Sequence, residues 1–160
     1  MVRVPFKRGK RVSILAACDV RGFVAWETTC GTFTRKRFHR AFVRQVVKRL
    51  NPWPLPRSIV VMDNALIHMY KEIEDVVYRC GAILLSLPPY YPHLNPIEVM
   101  FRRFKSGIQR HANLVFPQYP ELVLKVAMKR CLRCEDHGFN LFRHCGYGSG
   151  GVNLAAFTAE

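Results

Sequence analysis

Residues 59–105 read IVVMDNALIHMYKEIEDVVYRCGAILLSLPPYYPHLNPIEVMFRRFK, and the order of apolar and polar runs within them decides the fold. Ile59-Val60-Val61-Met62 is a short apolar run that stops at a carboxylate, Asp63. Such a run between polar punctuation predicts a buried strand. A helix is expected after it, ending near Cys80, with Gly81 placed where a left-handed residue commonly stops a helix. Residues 82–87 then predict a second strand. Strand, helix, strand is a crossover unit, which favours parallel pairing through a right-handed connection. Residues 88–92 predict a stiff loop, and Asn95-Pro96-Ile97-Glu98 opens another helix, since Asn suits a cap and proline the first helical position. One carboxylate therefore ends a strand, and the second, Glu98, starts a helix just past the neighbouring strand. That arrangement can bring both onto one rim of a sheet.

Upstream, residues 12–18 (VSILAAC) and 23–26 (FVAW) flank the turn signal Asp19-Val20-Arg21-Gly22 and predict an antiparallel hairpin. Residues 34–50 predict an amphipathic helix. Phe38, Ala41, Phe42, Val46 and Leu50 recur at three- and four-residue steps, while Arg35, Lys36, Arg40, Arg44 and Lys48 take the other face. That basic face is either simply solvated or a DNA contact. Three prolines within residues 51–56 end the helix by removing donors and restricting their neighbours. Downstream, the helix from Pro96 to about residue 108 carries Ile97, Phe101, Phe104 and Ile108 on one stripe, with Arg102, Arg103 and Lys105 beside it. Residues 120–134 and 139–144 predict two more helices. Residues 1–147 are expected to form one core, and residues 148–160, entered through glycine-rich residues 146–151, a loose tail.

The chain has 160 residues, 49% hydrophobic and 22% charged, which fits one globular domain. Its 25 Lys and Arg against 11 Asp and Glu give a net charge of +14, an excess that favours a polyanionic partner such as nucleic acid. A ribosomal protein or a binder of acidic membranes shares that balance. No apolar stretch is long enough to span a membrane, and the six cysteines read as reduced thiols. Cys131, Cys134, His137, His144 and Cys145 lie in a helical pattern without a second cysteine pair at finger spacing, so core thiols are expected there rather than zinc. Glu72, Glu74 and Asp75 scatter around a helix axis and are expected to face solvent.

Two carboxylates delivered from separate elements suit a hard divalent cation, which takes oxygen ligands. Paired ions of this kind, ~3.5–4 Å apart, stabilise both the attacking and the leaving oxygen of a phosphodiester. Each acid also has a structural explanation. Asp63 could form a turn or cap the next helix, and Glu98 stands at the reciprocal position of a capping box with Asn95.

The motifs Met62-Asp63-Asn64-Ala65 with His68, and Leu87-Pro88-Pro89-Tyr90 through Pro92, Leu94, Asn95, Pro96, Ile97 and Glu98, resemble the catalytic core of DDE transposases of the mariner superfamily, especially a fungal-type branch. The 98 − 63 − 1 = 34 residues between the acids match the family's spacing of its second and third acids. The resemblance runs loosely over residues 9–147 and departs at Tyr91 and His93, where the family usually has serine and aspartate. It implies an RNase H-like α/β fold, a mixed sheet with flanking helices. It implies catalytic and metal-binding roles for Asp63 and Glu98 with Mg²⁺ or Mn²⁺, and support from Asn64, His68 and Asn95. DNA, as transposon ends and target, would meet Arg35, Lys36, Arg40, Arg44, Arg102, Arg103 and Lys105. A nuclear location and a homodimer in the complete transposase are implied as well.

In the family the first acid lies mid-sheet, on a strand preceding the hairpin. Here only Asp19 and Glu27 precede Asp63, and Asp19 falls in the hairpin turn. The expectation is a core trimmed of its first acidic strand and its upstream helix-turn-helix domains, and inactive by itself. Two functions follow: a metal-dependent DNA endonuclease and strand transferase, or a catalytically dead relic that binds nucleic acid through its basic faces. An RNase H-like nuclease acting on RNA fits less well, because nothing reads the 2′-hydroxyl.

Overall fold

In the computed structural model, which describes residues 11–63, 65, 70–131, 135–147 and 154–159, strands β1 (Val12–Asp19) and β2 (Gly22–Cys30) form the expected antiparallel hairpin. Helix α1 (Arg35–Gln45) follows, its first turn held by the Thr34 hydroxyl, which accepts from the Arg37 N–H at 3.3 Å. It is shorter than the sequence predicts. The last turns give way to a 3-10 segment, Val47–Arg49, where β-branched Val46 and Val47 stand at the change.

The crossover predicted from residues 59–87 is present. Strand β3 (Ile59–Met62), helix α2 (Lys71–Arg79) and strand β4 (Ile83–Ser86) form it, with β3 and β4 parallel and Met62 beside Ser86. Helix α2 begins later than expected, after the extended residue Tyr70. Asn64 and His68 lie outside the described residues. Gly81, at φ 72°, ends α2 as predicted. A Cβ there would sit 2.8 Å from Pro52 Cβ, so the proline-rich entry to β3 packs directly on this turn. Helices α3 (Pro96–His111), α4 (Pro120–Cys131) and α5 (Glu135–His144) come next.

One part of the expected tail differs. Leu154–Ala159 forms strand β5, and it lies in the middle of the sheet, whose order is β2-β1-β5-β3-β4. It runs antiparallel to β1, with Leu15 beside Ala159, and parallel to β3, with Met62 beside Phe157. Pairing with a strand on either side gives this segment what an isolated glycine-flanked run lacks, partners for its backbone donors and acceptors, with Ala156 and Phe157 paired on both edges.

Strands β1 and β3 are buried on both faces, and period-two alternation divides their side chains between two layers of helices, whereas edge strand β4 is largely exposed. Ile14, Ala16, Cys18, Ile59 and Val61 face Ile97, Met100, Phe101 and Phe104 of α3, Leu124 and Met128 of α4, and Leu141 and Phe142 of α5. Leu15, Ala17, Val60 and Met62 face Phe38, Ala41 and Phe42 of α1 and Ile73 and Val77 of α2. The result is a mixed sheet with helices on both faces, the arrangement expected of an RNase H-like domain. Strand directions then fix what shares a rim. The C-terminal ends of β3, β4 and β5 lie with the start of β1 and the end of β2. Asp19, at the far end of β1, is therefore on the opposite rim from Asp63.

Candidate active site

Asp63 is the first residue beyond β3, on the rim where ligands of open α/β sheets collect, outside the carboxyl ends of the strands. Its Oδ1 accepts from the Ala65 N–H at 3.3 Å, a local turn that fixes the carboxylate just past the strand. It does not cap α2, which begins eight residues later. Beside it, the Leu87 N–H donates to the Met62 carbonyl at 2.8 Å and ties the start of the next loop to the end of β3.

That loop runs through Pro88, Pro89, Tyr90 and Tyr91 into a short 3-10 turn, Pro92–Leu94, and then into α3. It is held at several points. The Leu94 N–H bonds the Tyr91 carbonyl at 3.1 Å, the Asn95 N–H bonds the Pro92 carbonyl at 3.0 Å, and the Tyr147 hydroxyl donates to the Leu94 carbonyl at 2.7 Å. Tyr90 adopts φ 67°, a left-handed conformation that costs a non-glycine residue roughly 1–2 kcal/mol.

Asp63, Asn95 and Glu98 all line one open cavity of about 840 Å³, together with Ala65, Leu87, Pro88, Pro89, Tyr90, Tyr91 and Pro92. Two other cavities flank α3 and α4 and are walled by side chains such as Ile14, Phe104, Ile108, Phe116 and Leu124. They carry no carboxylate, and so the chemistry selects the larger one.

Asn95 behaves differently from the sequence expectation. It stands at the cap position of α3, yet its side chain makes no capping hydrogen bond. The Glu98 N–H donates instead to the Asn95 backbone carbonyl at 3.1 Å, and the Asn95 N–H is taken by Pro92, so the capping box does not form. The side chain is 1% exposed, and neither Oδ1 nor Nδ2 has a hydrogen-bond partner among the described residues. A buried amide with nothing to bond is costly, and this one lines the same cavity as two carboxylates.

The remaining candidates are dispersed. Arg35, Lys36 and Arg40 are exposed on α1, on one side of the sheet, whereas Arg102, Arg103 and Lys105 are exposed on α3, on the other. Arg44 pairs with Glu27 within the chain, and the same contact raises its guanidinium pKa. The Arg35 guanidinium lies 5.1 Å from the centre of the Tyr70 ring. Burial pushes the Tyr70 hydroxyl up to about 12. Glu72, Glu74 and Asp75 are exposed, as expected. Cys145 is buried, and burial raises its thiol pKa. Cys134 lies outside the described residues, and no group of three His, Cys, Asp or Glu side chains among those described could hold a metal ion.

Asp19 has a different task. Its side chain is almost fully buried, accepting from the Arg21 N–H at 2.8 Å and paired with Arg57 at 2.9 Å. The sequence offered the turn but not the partner, since Arg57 is 38 residues away.

Asp63, Glu98 and Asn95 offer only oxygen to a cation, which fits a hard divalent ion of the Mg²⁺ type and not a thiophilic one. No described helix is long and apolar enough to cross a membrane. Compared with known families, residues 3–119 match the model described as DDE superfamily endonuclease. Among curated proteins, none matches the chain.

Proposed function

Starting from the premise that this chain belongs to the DDE superfamily endonucleases, we propose that it acts in DNA transposition as a mariner-type core that hydrolyses a phosphodiester and transfers the freed 3′-hydroxyl to a target strand. The observation that carries this is the shared cavity of Asp63 and Glu98, fed from a strand end and a helix start. The two carboxylates would hold Mg²⁺ or Mn²⁺. When bound, such an ion lowers the pKa of water and offsets charge on the phosphoryl oxygens. The chain's own groups orient the reactants. Asp63 is fixed by its turn with Ala65, and Glu98 by the first turn of α3, whose N-terminal end favours an anionic phosphate. The Asn95 amide, buried in the wall of the same cavity, supports the site from behind rather than meeting the substrate. DNA is the implied partner. A nucleus is the compartment this requires in a eukaryote, and dimerisation would bring two transposon ends together.

A binding-only relic remains the second reading, and two observations favour it. No three-ligand metal group is present among the described residues, and the mid-sheet strand β5 reads LAAFTA, without an acid. The two separate by a metal titration followed by a DNA nicking assay. Enzyme chemistry predicts Mn²⁺-dependent thermal stabilisation that Asp63→Asn and Glu98→Gln each reduce at least several-fold in apparent affinity, with nicking lost in both. Stabilisation by metal without nicking, unchanged by either substitution, supports the relic.

A further inference from the structure

Tyr90 is 98% exposed, the barest large hydrophobic side chain among the described residues, yet its backbone is held in a left-handed conformation between Pro89 and Tyr91. Tyr91 is half exposed, and its ring lies 5.4 Å from that of His93 in an edge-on contact. Both tyrosines line the cavity that also contains Asp63, Asn95 and Glu98. Three prolines, at positions 88, 89 and 92, limit the loop's freedom, so the rings are presented at little entropic cost on binding.

An aromatic ring kept in water by a stiff, strained loop has a surface of roughly 150–250 Å² to cover. What covers it must also bring a phosphate to the carboxylates a few residues away. A nucleotide meets both requirements, because it carries a flat π-face and a phosphodiester on one sugar. In an intact duplex that face is already stacked on its neighbours. A protein ring reaches it only when the base is single-stranded, frayed or turned out of the helix.

We propose that Tyr90, supported by Tyr91, stacks on an unpaired base next to the phosphate under attack, so that the substrate is DNA locally opened at the cleavage site. The proposal rests on the DNA-processing reading above and narrows its substrate. The net charge of +14 supplies attraction for any DNA, whereas the rings supply the preference for an open base.

The test compares a single-stranded oligonucleotide carrying one 2-aminopurine with the same sequence as a duplex, titrated with the full chain at low salt and without metal. Stacking predicts quenching of the single-stranded probe. Tyr90→Ala should weaken single-strand binding about tenfold, as loss of one base–ring stack requires, and remove the quenching. Tyr90→Phe should keep both, and duplex affinity should be unchanged in either variant. Because Tyr90 is on the surface, neither substitution touches the core, and circular dichroism checks that. Equal losses on the single strand and the duplex, or none on either, would overturn stacking while leaving the DNA reading in place. If the unmodified chain binds neither probe, the DNA reading falls, and stacking with it.

Discussion

At the scale of single residues, Asn95 makes the sharpest test. A capping asparagine replaced by an apolar residue costs its protein about 1 kcal/mol. Asn95 does not cap, and both of its amide atoms are buried without a partner. Asn95→Leu, which keeps the same branched four-atom shape, is therefore expected to leave stability unchanged or raise it by about 1 kcal/mol, the relief of an unmet polar group. Divalent-ion affinity should fall in the same variant. Urea melts and a Mn²⁺ titration check the pair, and a destabilised variant would show that the amide has a structural partner. Tyr70 gives a second test, by pH. Its hydroxyl is raised from an ordinary 10.0 to about 12, first by burial and then by nearby Glu72, with Arg35 acting in the opposite direction. Between those values the unfolded chain releases this proton and the folded chain keeps it. The contribution is thus fully present below pH 10 and is lost as pH rises through about 12. Tyr70→Phe should flatten part of the alkaline fall in melting temperature without lowering stability at neutral pH. Only part is expected to go, since burial also raises Tyr147.

At the scale of elements, the Asp19–Arg57 pair joins the β1–β2 turn to the entry of β3. The two partners differ in burial, the Asp19 side chain being 6% exposed and that of Arg57 34%. Arg57→Ala strands a buried carboxylate and should cost about 3 kcal/mol, whereas Asp19→Ala leaves a cation that water can reach and should cost about 1–2 kcal/mol. Equal losses in chemical denaturation would contradict this asymmetry. Neither change should alter divalent-ion binding, because the pair is on the rim opposite Asp63. The crossover from β3 to β4 was legible because β3 is apolar throughout, β4 is apolar up to its last residue, Ser86, and a glycine closes the helix between them. That Asp63 and Glu98 line one cavity is consistent with that topology. What the sequence concealed is non-local. Nothing within LAAFTA distinguishes a tail from a central strand, because its pairing energy comes from β1 and β3. The capping box at Asn95 failed for a local reason instead, since the 3-10 turn before it takes the Asn95 N–H and the Asn95 carbonyl takes the Glu98 N–H.

For the whole molecule, charge is the dominant property. Residues 1–50 alone hold 13 Lys and Arg against 2 acids. Basic side chains on both helical layers leave no single strip for a groove to read, so binding should be weakly selective for sequence and governed by counterion release. Affinity for duplex DNA is expected to fall by roughly 10³-fold between ~50 and ~200 mM salt if six or more phosphates are contacted. Fluorescence anisotropy over that range measures it, and a flat response would remove electrostatics as the basis of binding.

The central place of β5 has a consequence for how the protein is made. Its partner β3 is complete at Met62, but the strand that lies against it reaches Phe157, 157 − 62 = 95 residues later. At ordinary translation speeds that interval is on the order of 5–20 s. Throughout it β1 and β3 have no shared neighbour, and their inner edges, lined with Leu15, Ala16, Val60 and Val61, are open to any other strand. The nascent chain can close its hairpin and its crossover early, but it cannot close its sheet. A chain ending before residue 154 is accordingly expected to aggregate where the full chain does not, which light scattering on the two forms would measure.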